Sequence, residues 1–173
     1  FPVPPRSKSV TVEFMQFGGT EGSSELLTMT LLPCAEPSPR RVRAAVAYCQ
    51  PAGPNRTWEQ NLEGLDRLTG EAKADGCDLV LFGEGVSVVG TGRSYVEVAR
   101  PIPGPHADDL ARVAARHGIF LCAGLYERDG EAAYNTAVLY DRSGRLAGKY
   151  RKVHLPWPEI EAGLVPGTEF PVF

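Results

Sequence analysis

Apolar strands and amphipathic helices alternate along this chain from residue 42 onward. The run Leu79-Val80-Leu81-Phe82 is apolar at every position, which is typical of a strand that is buried on both faces. A helix precedes this strand, because Trp58, Leu62 and Leu65 recur at helical spacing and Gly76 can end the helix. This alternation predicts an α/β fold.

Capping and turn residues place the other elements. Thr57 and Gln60 have the spacing of a capping box at the start of the first helix. Pro105 suits the first turn of a second helix, and Gly118 suits its C-terminal end. The other strands are predicted at 42–48, 119–126, 133–140 and 146–150, and the last two form a hairpin. We expect a turn at 127–130 and loop structure after Pro156.

Residues 1–41 differ from the part that follows. Two strand-like runs, Ser9 to Phe17 and Glu25 to Leu32, flank a glycine-rich turn, and a proline-rich stretch follows them. A hairpin that no helix covers cannot bury both of its faces. We therefore predict that 1–41 is a short β-hairpin segment with a Pro-rich linker, the tail of a preceding β-sandwich. Residues 42–173 then belong to a second domain.

The charge balance narrows the classes of partner. The chain has 18 Lys and Arg residues against 21 Asp and Glu residues, a formal net charge of −3. A protein that binds nucleic acid or an anionic membrane surface needs a basic patch, and this composition does not indicate one. Apolar runs are also shorter than a membrane span requires. We expect neither nucleic acid nor a membrane as the main partner.

The first residue and the cysteines bear on location and cofactors. The chain begins without an initiator methionine, which is typical of a cut inside a longer chain, so we leave localisation open with the cytoplasm as the default. Cys34, Cys49, Cys77 and Cys122 form no CxxC pair and have no histidine at metal-ligand spacing. We expect no metal and no cofactor.

Glu84 and Lys152 are the candidates for chemistry. Glu84 directly follows a buried strand, at the edge where open α/β sheets place their sites, and a partly desolvated carboxylate there can act as a general base. Lys152 ends the hairpin, and a lysine on the Glu84 side of the sheet could stabilise an oxyanion. The alternatives are a surface glutamate that opens a glycine-flanked turn and a solvent-facing lysine.

Four other polar residues receive plainer interpretations. We expect Lys149 and Arg151 to be solvated neighbours of Lys152, and His154 to be structural. Asn135 opens a strand, where it is expected to satisfy backbone groups rather than bind substrate.

Five segments in one continuous order resemble the nitrilase or carbon–nitrogen hydrolase superfamily, over roughly residues 42–173. They are Asp78 to Glu84, Ala123 to Glu127, Tyr134 to Leu139, Gly148 to Pro156, and Pro166-Gly167. The resemblance implies an αββα sandwich, of which this chain is the N-terminal part, an incomplete half-domain. It also implies hydrolysis of amide, carbamoyl or nitrile substrates by a Cys-Glu-Lys triad without metal or organic cofactor, in a protein that forms homo-oligomers.

The resemblance assigns roles to particular residues. Glu84 matches the general base, and Lys152 matches the lysine that stabilises the tetrahedral intermediate. Glu161 resembles a second glutamate that positions the substrate, with Glu159 as the competing choice. Gly83 departs from the family, which usually has proline at this position, and this puts the rigidity of the loop in question.

The nucleophile is the larger departure. In the family the cysteine follows the lysine on a later strand, so the resemblance places it beyond Phe173. Cys49 is the rival within this chain, but it precedes both partners in sequence. We therefore expect this chain alone to lack the complete triad and to be inactive. An exposed sheet edge and a bare apolar face would also make the piece associate.

Two other functions stay open at this stage. A non-catalytic descendant could keep the pocket as a binding or scaffolding module, which the missing cysteine would explain. An acyltransferase relative would use the same triad and pass the acyl group to an amine.

Overall fold

The computed structural model describes residues 41–49 and 53–173, so the hairpin and linker predicted within 1–41 lie almost wholly outside the described residues. Residues Val42–Phe173 form one compact unit. Its elements are β1 (Ala44–Ala47), α1 (Trp58–Ala74), β2 (Leu79–Phe82), α2 (Tyr95–Val98), α3 (Pro105–His117), β3 (Phe120–Asp129), β4 (Ala132–Tyr140), β5 (Leu146–Arg151) and α4 (Trp157–Glu161).

The five strands form one sheet in the order β1-β2-β3-β4-β5. Strands β1, β2 and β3 are parallel, and β4 and β5 are antiparallel to their neighbours. Helices α1 and α3 connect the parallel strands, as crossover connections require. The predicted α/β class is therefore confirmed. In the part of the chain that is described, no helix is long and apolar enough to cross a membrane.

Helix boundaries follow the predicted caps. The Thr57 hydroxyl accepts from the backbone N–H of Gln60 at 3.3 Å, and the Gln60 side chain accepts from the Thr57 N–H at 3.1 Å. Pro105 is the first residue of α3, and Gly118 ends that helix in the left-handed region at φ 60°. Both signals depend on backbone groups close in sequence, which is why they could be predicted locally.

Two boundaries were predicted wrongly. The turn expected at 127–130 belongs largely to β3, which continues to Asp129 and turns only at Gly130, where φ is 59°. The loop expected after Pro156 contains the short helix α4. In both places polar residues resembled turn chemistry, but buried ion pairs keep two of them, Glu127 and Glu159, inside the fold.

The core lies between the sheet and helices α1 and α3. Side chains that are almost wholly buried fill it, and the largest are Leu65, Leu110, Ile119, Leu121, Leu125, Val80 and Val138. Each apolar side chain removed from water stabilises the fold by about 1.5–3 kcal/mol, so this layer is the main source of stability.

The opposite face of the sheet is open in the described residues. Val46, Leu81 and Cys122 are partners in one register row across β1, β2 and β3, and they point away from the helices. Val46 is 80% exposed and Leu81 is 38% exposed. β2 is thus apolar on both of its faces, but α1 and α3 cover only one of them. The association expected from this face stays a prediction.

His106, in the first turn of α3, stacks on Trp58 of α1 and makes the stability of the fold depend on pH. Its ring lies 4.2 Å from the Trp58 ring, between centroids. Burial, together with the nearby Arg100 charge, lowers the pKa of His106 from 6.5 to about 4. The unfolded chain therefore takes up a proton first, and stability decreases as pH falls from about 6.5 to 4.

Replacing His106 with phenylalanine should keep the stacking and remove this proton uptake. Between pH 7 and pH 4, the free energy of unfolding of His106→Phe should fall by about 1–2 kcal/mol less than that of the wild type. The difference is no larger than this because the imidazole is only partly buried. Urea unfolding at both pH values measures the difference. His154→Phe, at an exposed histidine, is the matched control, and equal pH slopes for all three proteins would contradict the prediction.

Candidate active site

Glu84 follows β2 on a loop that is tied closely to β3. The N–H of Gly124 donates to the Gly83 carbonyl at 3.1 Å, and the N–H of Val86 donates to the Gly124 carbonyl at 2.9 Å. Gly124 permits this approach, because a Cβ there would lie 2.8 Å from the Glu84 Cα. Gly85 adopts φ 65°, which turns the chain sharply after Glu84. The Glu84 side chain is 53% exposed.

Lys152 stands directly after β5 and meets Glu84. Its Nζ lies 3.1 Å from Glu84 Oε1 and 3.1 Å from Glu159 Oε2. Backbone bonds fix the residue on both sides: its N–H donates to the Asn135 carbonyl at 2.8 Å, and its carbonyl accepts from Gly167 at 2.9 Å. Alternation along the end of β5 puts Tyr150 and Lys152 on the side of Glu84.

Asn135 connects the two carboxylates. Its Nδ2 donates to Glu159 Oε1 at 2.8 Å and makes a short hydrogen bond to Glu84 Oε1. We expected this side chain to satisfy backbone groups, and that expectation is wrong. The signal was the alternation of β4, which puts Asn135 and Ala137 on the face that carries Lys152.

The structure separates the two candidate glutamates of the last helix. Glu159 lies in the site with its side chain 5% exposed, whereas Glu161 is exposed to solvent. Two residues along a helix differ by about 200° in direction, so α4 can turn only one of them inward. The geometry favours Glu159, the competing choice, over Glu161.

The fold places Cys49 and Cys122 on opposite faces of the sheet. Cys49 is partly buried and packs against the core on the helix side of the sheet, away from Glu84. Cys122 instead lines the cavity with Glu84 and Lys152, which the sequence patterns did not indicate. Burial raises the pKa of both thiols and so disfavours their thiolate forms.

These side chains border a cavity of about 320 Å³ on the open face of the sheet. Its wall is mostly apolar apart from one end, where the charged groups converge. The lining residues are Leu81, Phe82, Gly83, Glu84, Cys122, Ala123, Gly124, Asn135, Ala137, Tyr150 and Lys152. A small apolar pocket with a few convergent polar groups is the usual form of a small-molecule site.

The charges in the site stabilise one another. Burial by itself raises the pKa of Glu84, but its hydrogen-bonding neighbours, among them the Lys152 ammonium and the Asn135 amide, outweigh it and bring that pKa below the ordinary glutamate value. Burial opposes the charge of Lys152, yet Glu159 and Glu84 raise its pKa above the ordinary lysine value. Glu84 is therefore a carboxylate and Lys152 an ammonium at neutral pH.

Lys149 and Arg151 do not behave as the sequence suggested. Instead of being solvated neighbours, both pair with the carboxylate of Glu127 on the other face of the sheet. His154 is exposed, with its ring 6.4 Å from that of Phe170. Within the described residues, no group of three His, Cys, Asp or Glu side chains is placed to hold a metal ion.

Comparison with known sequences identifies the family. A family model described as carbon-nitrogen hydrolase matches residues 45–173. A bifunctional nitrilase/nitrile hydratase of Lupinus angustifolius is 33% identical over 132 residues, covering 65% of this chain and 38% of that protein. An omega-amidase of Xenopus tropicalis is 32% identical over 124 residues, covering 66% of this chain and 45% of that protein.

Solved structures agree with the sequence matches. An amidase from Nesterenkonia sp. superposes with a TM-score of 0.58 and 26% identity, covering 75% of this chain and 50% of that chain. One glutamate-to-glutamine mutant of this amidase carries the acetamide moiety of fluoroacetamide, covalently added at its active site cysteine. Fold and sequence matches thus define an α/β protein of the nitrilase superfamily. The chain belongs to the carbon-nitrogen hydrolase family, and it spans half or less of these relatives' lengths.

The close contact at Gly124 can be tested by adding one methyl group. Gly124→Ala should push the Glu84 loop away from β3 and destabilise the protein by about 1–3 kcal/mol through overpacking. Urea unfolding measures this change. Gly64→Ala in α1 is the matched control, because nothing lies within 4 Å of its added Cβ, and it should be neutral or stabilising. Equal stability of the Gly124→Ala variant and the wild type would contradict the packing described here.

Proposed function

We propose that this chain supplies the general base and the oxyanion-stabilising cation of a hydrolase acting on amide, carbamoyl or nitrile substrates. The nucleophile would be a cysteine from a part of the protein that follows Phe173. The observation that carries the proposal is the Lys152 ammonium, 3.1 Å from carboxylate oxygens of both Glu84 and Glu159 at the charged end of an apolar cavity. Surface lysines seldom have two carboxylate partners of this kind, one of them buried.

The proposed reaction begins with proton transfer. Glu84 takes the proton of the cysteine thiol, and the thiolate sulfur forms a bond to the carbonyl carbon of an amide. Negative charge develops on the carbonyl oxygen, where the Lys152 ammonium stabilises it. When the carbon–nitrogen bond breaks, the nitrogen leaves as an amine that has received the proton from Glu84.

A thioester remains and is hydrolysed in a second step. Glu84 accepts a proton from water as the water oxygen attacks the thioester carbon, and the same cation stabilises the second oxyanion. Breaking the carbon–sulfur bond releases the carboxylic acid, and the proton returns to the thiolate. Atoms and charge balance without an added oxidant or metal.

Glu159 and Asn135 would hold this pair in position. The buried Glu159 carboxylate attracts the same ammonium as Glu84, and Asn135 donates to both carboxylates. The two acids can then lie near each other because they share two donors, the Lys152 ammonium and the Asn135 amide. Preorganised groups of this kind stabilise a developing charge without rearranging during the reaction.

A non-catalytic binding module is the second possibility, and the placement of the cysteines favours it. Neither Cys49 nor Cys122 has a lowered thiol pKa, so no activated thiol lies among the described residues of the site. A nitrile or amide electrophile that labels one cysteine of the full-length protein would exclude this alternative. The absence of any labelling would exclude the hydrolase.

The base and the cation can be tested by removing their charges in the full-length protein. We expect Glu84→Gln to lower kcat/KM for amide hydrolysis by about 10²–10⁴, and Lys152→Gln to lower it by about 10²–10³. Ammonia release measures the rate. Glu131→Gln, at an exposed acid on the β3–β4 turn, is the matched control and should act like the wild type. Full activity of Glu84→Gln would overturn the proposal.

The two glutamates of α4 can be distinguished by the same assay. Glu159→Gln removes a buried carboxylate from Lys152 and should reduce kcat/KM by at least about tenfold, since the ammonium loses one of its two partners. Glu161→Gln changes an exposed side chain and should have little effect. The opposite order of effects would restore Glu161 as the functional glutamate.

A further inference from the structure

A buried carboxylate lies on the face of the sheet opposite Lys152. Glu127 continues the row Leu121, Ala123 and Leu125 of β3, all of which face the helices, and its side chain is only 2% exposed. Four donors surround it: Arg151 Nε at 2.9 Å, Arg151 Nη2 at 2.8 Å, Thr136 Oγ1 at 2.9 Å and, through a short contact, Lys149 Nζ. We call Glu127, Thr136, Lys149 and Arg151 the Glu127 cluster.

The Glu127 cluster ties three adjacent strands together by charge. Burial raises the pKa of Glu127, but the Arg151, Lys149 and Thr136 side chains outweigh that effect and lower it, so the carboxylate is ionised. An ionised group cannot stay inside a fold unless its partners stay with it. β4 and β5 must therefore keep Thr136, Lys149 and Arg151 in place beside β3.

Each residue of the Glu127 cluster is the chain neighbour of a residue on the face of the sheet that carries the site. Glu127 follows Tyr126, which packs against Gly85 of the Glu84 loop. In the same way Thr136 follows Asn135, and Arg151 precedes Lys152. Successive residues of a strand point to opposite faces, so fixing one member of each pair fixes the other.

Arg151 matters most because β5 ends there. Lys152 lies just outside the regular strand, where its backbone bonds to Asn135 and Gly167 hold it but the end of a strand can still open at low cost. Arg151 resists this motion through a two-nitrogen contact with Glu127, a 2.7 Å ion pair with Asp129 and a position 3.9 Å from the centre of the Tyr134 ring. A planar guanidinium held on three sides leaves little freedom to the next residue.

We propose that Glu127 is a positioning residue, which holds Lys152 and Asn135 against Glu84 from the opposite face of the sheet through Arg151 and Thr136. This inference rests on the proposed function for its consequence in catalysis. It assigns to the Glu127 cluster an effect on the chemistry although none of its side chains lines the cavity.

The test uses Glu127→Gln in the full-length protein, with Glu131→Gln as the matched control on the neighbouring turn. We expect kcat/KM to fall by about ten- to a hundredfold, mainly in kcat, because misplacement of about 1 Å costs this much. The acid limb of the pH profile should also move to higher pH. The groups that face Glu84 are Lys152 directly after β5, Glu159 from α4, Asn135 from β4 and Tyr126 from β3. Looser contact with Lys152 and Asn135 makes the Glu84 carboxylate less stable.

Two results would overturn the inference. One is wild-type kinetics for Glu127→Gln. The other is a pH–rate profile of lower amplitude whose acid limb stays at the wild-type pH. Such a profile indicates a loss of folded protein rather than a displaced lysine. Circular dichroism at the assay temperature reports the folded fraction. If Glu127→Gln does not fold, Arg151→Lys takes its place, because it keeps the charge but removes the two-nitrogen contact, and it should show the same shift to a smaller extent.

A measurement without turnover keeps this inference separate from the proposed function. Carbon-13 NMR of labelled glutamate carboxyls, with the Glu84 signal assigned by Glu84→Gln, follows the titration of Glu84 directly. We expect its pKa to be higher in Glu127→Gln than in the wild type, and equal values would overturn the positioning role. A wild-type protein that hydrolyses no amide, carbamoyl or nitrile substrate would instead count against the proposed function.

Discussion

The site depends on one ammonium group held between two carboxylates. Lys152 lies 3.1 Å from an oxygen of each acid, Glu84 and Glu159, although these acids come from the end of β2 and from α4. Without the cation, a buried and a half-exposed carboxylate would repel each other, and one would take up a proton. The ion pair thus keeps Glu84 charged, and it joins the parallel part of the sheet to the segment that follows the hairpin.

Much of the fold could be predicted because its signals are local. Thr57 with Gln60, Pro105 and Gly118 act through backbone groups a few residues away, and the apolar run of β2 needs only the rule that such strands are buried. Glu84 and Lys152 became candidates because each follows a predicted strand, and the family resemblance then matched them to a base and a lysine of one site. Their catalytic roles are still proposals.

The residues that were missed depend on contacts distant in sequence. Choosing Glu159 over Glu161 requires the phase of a five-residue helix, which no periodic pattern can set. Asn135 and Glu127 are polar residues within strands, and only the register of β3, β4 and β5 shows which charges face them. Polar side chains inside a fold are specified by their partners, whereas apolar ones are specified by their spacing.

The close packing of Gly124 against the Glu84 loop has a consequence for how the site can vary. A Cβ at position 124 would lie 2.8 Å from the Glu84 Cα. Glu84 can therefore lie this close to β3 only because residue 124 has no side chain. Leu81, Ala137 and Tyr150 border the same cavity as uncharged wall residues. In the proposed hydrolase, changes at these wall positions would reshape the space for a substrate and leave the distance between Glu84 and Lys152 unchanged. Selectivity and reactivity would then be carried by separate sets of residues on one sheet.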